Sequence, residues 1–221
     1  MKIKLANQQG FTITELLVAI SVGSILSILM ISIFIYGYGG LLVEQTRANM
    51  VLESQLFLRR ITEDIRVANQ VLPANTIVDS NDLDGWTTSD PANILILTQP
   101  AIDNGDNFII DSNTGYPYQN EIIYFGDGQN IYRRTLENTS ALGNVASTTC
   151  SAGTVGCSPD IKLSEYLKNM TFIFYDTNDT VTTSAPDARS VSLTINLGKN
   201  IFGRNILVQN TTRMTLRNEN Q

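Results

Sequence analysis

The chain has 221 residues, a formal net charge of −6, two cysteines and no histidine. Without histidine it lacks the side chain most used for acid–base catalysis and metal ligation. Its acidity makes it a poor partner for phosphate backbones, which call for clustered lysine and arginine, so no nucleic acid is expected among its partners.

Residues 1–10 carry Lys2 and Lys4 and no acid, and end on Gly10. Residues 16–43 follow without a charge, 28 in a row. At 1.5 Å per helical residue that run spans about 42 Å, more than the ~30 Å hydrocarbon core of a bilayer. A cleaved secretory signal has a shorter apolar stretch followed by a small-residue cut site, and Tyr36-Gly37-Tyr38-Gly39-Gly40 offers none. The segment therefore predicts a retained single span. Lysines before it and none just after place the N-terminus in the cytoplasm and the remainder outside.

Glu15 stands at the lip of this run, where a carboxylate costs a few kcal/mol. Gly10-Phe11-Thr12-Ile13-Thr14-Glu15 resembles the class III signal of type IV prepilins and pseudopilins. The resemblance implies that a prepilin peptidase cuts between Gly10 and Phe11 and methylates the new N-terminal phenylalanine. It also implies that Glu15 serves assembly with other pilin or pseudopilin subunits. Thr14 departs from the bulkier apolar residue usual before the glutamate. The physics agrees: an isolated ammonium at Phe11 is costly in an apolar setting and can be neutralised by a glutamate of a neighbouring subunit or of the same chain, and a carboxylate that must find its amine in a neighbour fixes axial register. Loss of Lys2 and Lys4 with the leader would take the net charge from −6 to −8.

Ala19, Gly23 and Ser27, four apart, form a small-residue stripe suited to close helix packing in lipid, although ordinary membrane-helix composition gives the same pattern. Major pilins usually carry a proline in this helix. This chain has none before Pro73, which favours a minor subunit.

The helical pattern continues through Leu58, Ile61, Ile65, Ala68 and Leu72 as a core-facing stripe. The pairs Arg59–Glu63 and Arg60–Asp64 are assigned to the exposed face. Gly37, Gly39 and Gly40 are placed to interrupt or bend the helix, and Pro73 to stop it. The expected organisation is a leader (1–10), a long helix (11–70, membrane part about 16–43) and a β-rich external domain (71–221).

Within that domain 94–98, 121–125, 131–136, 170–175, 191–197 and 206–216 read as strands, short and rich in Ile, Val, Tyr and Phe. Gly126-Asp127-Gly128 signals a hairpin. The fold class is α+β, a long N-terminal helix packed on an antiparallel sheet. Residues 58–65, 121–125, 131–134 and the closing Met214-Thr215-Leu216-Arg217-Asn218 are similar to the larger minor pilins and J-type minor pseudopilins. That group implies a place in a priming or tip complex, without enzymatic activity.

No catalytic constellation, cofactor or metal site is expected. Asp82-Leu83-Asp84-Gly85 has the opening spacing of a calcium loop, but Pro91 falls about where the closing glutamate belongs, so it reads as a solvated turn. Asp103-Asn104-Gly105-Asp106 and Asp176-Thr177-Asn178-Asp179 read as turns. Cys150 and Cys157 lie in a polar loop on the external side, where nearby thiols oxidise, and are expected to form a disulfide. The function expected is that of a minor type IV pilin initiating or capping a pilus-like filament. A type II secretion pseudopilin and an anchored surface adhesin that never assembles are the alternatives.

Overall fold

A computed structural model describes residues 11–80, 85–88 and 93–216. Gly10, Asp82, Asp84 and the last residues of the closing segment lie outside them. The chain falls into two compact units, residues 1–45 and 46–221.

Helix α1 (Ile13–Val67) is unbroken over 55 residues. The glycines at 37, 39 and 40 do not interrupt it: the peptide groups bond to each other along the helix, and one glycine costs only about 1 kcal/mol against alanine. In residues 13–41 its apolar side chains are exposed, as a lipid-facing helix requires. Beyond residue 45 the pattern changes to one buried stripe, Met50, Ser54, Phe57, Ile61, Asp64 and Ile65. The helix ends at Val67, before Pro73, because Asn69 N–H turns away to the Thr98 carbonyl (2.9 Å) and the chain becomes a strand. Leu72 is buried as expected, but from extended backbone: its N–H bonds to the Ile96 carbonyl at 2.9 Å.

The two large sheets of the globular unit are antiparallel, so the fold is α+β. The first sheet has the order β1 (Gln70–Val71), β2 (Leu95–Pro100), β3 (Gln119–Gly126), β4 (Ile131–Leu136) and β7 (Ile161–Ser164). Between β4 and β7, β5 (Thr149–Cys150) and β6 (Ser158–Pro159) form a short parallel pair. The second sheet has the order β11 (Arg204–Thr215), β10 (Ser190–Ile201), β8 (Leu167–Tyr175) and β9 (Val181–Thr182). All six expected strands are present, β3, β8 and β10 longer than the sequence pattern indicated, while β1, β5, β6, β7 and β9 were not expected.

The first sheet is covered on both faces, which explains why β3 reads as a near-continuous buried run rather than an alternating one. Tyr124 faces α1, its ring meeting Phe57 edge-on at a centroid distance of 6.0 Å. On the other face Leu72, Trp86, Ile96, Ile123 and Leu136 form a core cluster joined by Ile77, Ile94 and Phe125. In the second sheet Val191, Leu193, Ile195 and Leu197 are buried with Met170, Phe172 and Phe174 from β8. The alternation read from β10 thus marks its core face. Asn210 of β11 donates to the Ser54 hydroxyl of α1 at 2.5 Å, tying helix to second sheet.

Candidate functional site

Two regions carry the chemistry, the head of α1 and a buried ionic hub in the first sheet. At the head, Thr12 precedes the first helical turn and Glu15 lies three residues on. Thr12 N–H donates to Glu15 Oε2 at 2.9 Å, and so does the Thr12 hydroxyl, also at 2.9 Å. Glu15 N–H in turn donates to Thr12 Oγ1 at 3.3 Å. This is a capping box: each side chain satisfies an amide that the helix cannot. Thr12 and Glu15 carry the T-x-x-E signal of such a helix start. Glu15 therefore caps its own helix, and both bonds to its carboxylate land on Oε2.

Further along, Ser21, Ser24, Ser27 and Ser32 donate to the carbonyls of Val18, Ser21, Gly23 and Ile28 at 2.8–2.9 Å. Their hydroxyls are satisfied within the helix, the condition for polar groups at membrane depth. Ala19, Gly23 and Ser27 are all exposed, with no side chain near Gly23.

The hub was not read from the sequence. Arg133 and Arg134 are neighbours on β4, so the strand's twofold period sends them to opposite faces of the sheet, and both faces are covered. Toward α1, Arg133 Nε donates to Asp64 Oδ2 at 2.6 Å, and Tyr124 O–H donates to the same oxygen at 2.6 Å. Asp64 is buried, which corrects its assignment to the exposed face; Arg60 approaches it only at 3.9 Å. Arg59–Glu63, at 3.0 Å, is exposed as expected. Burial and the Asp64 charge push the Tyr124 hydroxyl far above its usual range. Burial works against the Arg133 charge, but the bond and charge of Asp64 outweigh it and hold the pKa above its ordinary value.

On the opposite face Arg134 is 1% exposed. Its Nη1 donates to Asp79 at 2.7 Å, its Nη2 to Asp160 at 2.7 Å and to the Ser151 hydroxyl at 3.0 Å. Its Nε reaches both Asp160 oxygens at 3.1 Å. The guanidinium also lies over the rings of Trp86 (5.0 Å) and Phe125 (5.5 Å). Planar, forked donors are what such bidentate and stacked geometry requires. As for Arg133, burial opposes the charge and the two carboxylates prevail, raising the pKa.

Cys150 and Cys157 form a disulfide, with a Cα separation of 6.1 Å. The loop is held by more than the bridge. Cys150 is fully buried, Asp160 N–H bonds to its carbonyl at 2.7 Å, and Thr149 Oγ1 donates to Asp160 at 2.8 Å. Arg134 thus clamps the base of the disulfide loop from below. Asp103 and Asp176 accept backbone N–H bonds two and four residues ahead, the turn geometry expected of them.

Residues 5–34 match the family model for the prokaryotic N-terminal methylation motif. The chain therefore carries the class III signal typical of type IV pilins and pseudopilins, a structural and generally non-enzymatic type. That motif implies processing by prepilin peptidase and assembly with other pilin subunits. With the long apolar helix it implies membrane anchoring. No curated protein matches the chain.

Proposed function

We propose that this bearer of the class III signal is a minor type IV pilin, a structural subunit that initiates or caps a pilus-like filament, with no catalytic activity of its own. One observation carries the reading. Gly10, Phe11 and Glu15 stand at family spacing at the head of an uninterrupted helix whose far end is packed into an α+β unit. A tether needs only the apolar span; it needs neither a cut site before the span nor an acid within it.

In this account the peptidase removes residues 1–10 and methylates Phe11. Residues 16–43 hold the subunit in the membrane with residues 71–221 outside, until it enters the filament. Ala19, Gly23 and Ser27 provide the close-packing face. Glu15 changes partner on assembly: its capping bonds serve the monomer, and its charge then neutralises the Phe11 ammonium of a neighbour. Buried ion pairs add little net stability but punish a missing partner, which suits a register device.

The test is the mass of the mature N-terminal peptide recovered from the membrane. N-methyl-Phe11 is expected, and Gly10→Val should leave the leader in place. A wild-type chain retaining residues 1–10 would overturn the proposal.

A further inference from the structure

The β10–β11 hairpin has one end at the close of α1 and the other where α1 enters the globular unit. Midway along β11, Asn210 bonds to Ser54 of α1. Beyond Thr215, Leu216 N–H donates to the Arg189 carbonyl at 3.0 Å, and the nearby turn Ala185–Asp187 packs on β1, just past the end of α1. The opposite tip, Phe202 and Gly203 between Ile201 and Arg204, therefore lies on the side where α1 enters. Glu53 marks the same side, accepting Glu165 N–H at 3.3 Å.

Phe202 is 76% exposed there, with φ of 49°. A bulky side chain in the left-handed region carries a strain that glycine or asparagine would avoid, and such strain concentrates at functional sites. The sequence has three lysines beyond residue 10, in a chain of net charge −6. All three are at this end. Lys168 stands at the start of β8, Lys199 near the end of β10 with its ammonium over the Tyr166 ring at 4.9 Å, and Lys162 reaches Glu165 at 3.3 Å. Lys168 and Lys199 are exposed and share the wall of a cavity of about 440 Å³ with Gln129, Asn130 and Glu165. A Cβ at Gly198 would stand 2.8 Å from Leu207 and 2.9 Å from Lys168, so those two exposed side chains lie together over the strand.

We propose that this tip docks on an anionic lipid surface, with Phe202 and Leu207 entering the headgroup layer and Lys168 and Lys199 meeting lipid phosphates. The inference rests on reading residues 16–43 as the membrane span. Val43 precedes the start of the globular unit at Thr46 by three positions, about 10 Å of even fully extended chain, which keeps the entry side of the unit at the membrane. Exposed apolar side chains edged by cations are the composition that settles in a membrane interface. A second copy of the chain fits worse, because a twofold contact through this patch sets its lysines against each other.

The test uses full-length protein in vesicles of phosphatidylcholine with about a quarter phosphatidylglycerol, brominated in the upper acyl chains. Retention through a carbonate wash is read first; release would overturn the span and this inference with it. On retained protein, Phe202→Trp adds an emission to that of buried Trp86, and the added emission should be quenched by the brominated lipid. Lys168→Gln with Lys199→Gln in that background should lower the docked-to-undocked ratio about thirtyfold, about fivefold for each charge near an anionic surface. Phosphatidylcholine alone should lower it at least as far. Retained protein whose added emission is unquenched would overturn docking while leaving the span intact. Equal quenching in neutral vesicles, indifference to the lysine replacements, or quenching that follows protein density instead of lipid charge, the mark of a second copy, would each overturn it too.

Discussion

Replacing Asp64 by asparagine removes one charge and almost no volume. Arg133 and Asp64 each expose 8% of their side chains, so solvent cannot substitute for the lost carboxylate. Arg133 would keep its bond to the Thr135 hydroxyl (3.0 Å), a neutral acceptor that does not offset a charge. Breaking a buried pair in this way costs about 3–5 kcal/mol. At ~2–4 °C per kcal/mol for a unit of this size, the melting temperature should fall by about 6–20 °C. Thermal unfolding of the full-length protein in micelles, followed by the fluorescence of the single tryptophan, Trp86, reads this directly. Replacing the whole triad with apolar residues (Asp64→Leu, Tyr124→Phe, Arg133→Met) should restore most of the loss, because no buried charge is then left without its partner. A melting temperature for Asp64→Asn within about 2 °C of wild type would refute the argument, since a solvated pair contributes no more than about 1 kcal/mol.

The disulfide closes a loop of eight residues, worth about 2.5 kcal/mol in the chain-entropy model. Replacing both Cys150 and Cys157 with serine should therefore raise amide exchange within 149–160 about 70-fold while α1 and the second sheet stay protected; unchanged exchange would contradict this. Phe202 and Gly203 form the two-residue turn joining β10 to β11, with φ of 49° and 76°. Phenylalanine is poorly suited to that left-handed backbone, and its ring is 76% exposed, so Phe202→Asn should stabilise by about 0.5–1 kcal/mol in denaturant unfolding, and a loss would contradict it. The Asp176 carboxyl is held below its ordinary 3.8 by the Thr180 hydroxyl and then by the Thr180 N–H. A lowered folded-state pKa means stabilisation present above the ordinary value and lost as pH falls through the folded one, so Thr180 amide protection should drop on going from about pH 5 to about pH 2; constant protection would count against it.

The membrane-spanning pattern and the six long strands were legible because apolar periodicity depends on local sequence alone. The end of α1 was not. Ala68 and Leu72 continue the helical spacing, yet Gln70–Val71 joins the edge of β2, pairing with Thr98 and Leu97, and a partner that distant in sequence leaves no mark on that spacing. The ionic hub escaped for the same reason: Asp64 meets Arg133 across 69 residues, and Arg134 meets Asp79 across 55. One signal was present. Arg133-Arg134 interrupts a strand bounded by Ile131 and Leu136, and two adjacent arginines in a covered strand must each find a carboxylate, one per face. Glu15 was found for its charge, while its capping bond to Thr12 required reading the same four residues as a helix start.

Incorporation of Glu15 variants into sheared filaments, measured against their level in the membrane, separates a filament subunit from a tethered domain. The capping box makes the comparison discriminating. Thr12→Ala weakens the cap and keeps the charge; Glu15→Gln keeps the cap, since glutamine serves there as well as glutamate, and loses the charge. All variants should insert, because none makes the span more polar. Thr12→Ala should enter filaments, Glu15→Gln should enter them poorly, and Glu15→Ala should be excluded, having lost a partner worth on the order of 3–5 kcal/mol at each contact. Glu15→Ala present in filaments at the wild-type ratio would contradict the account.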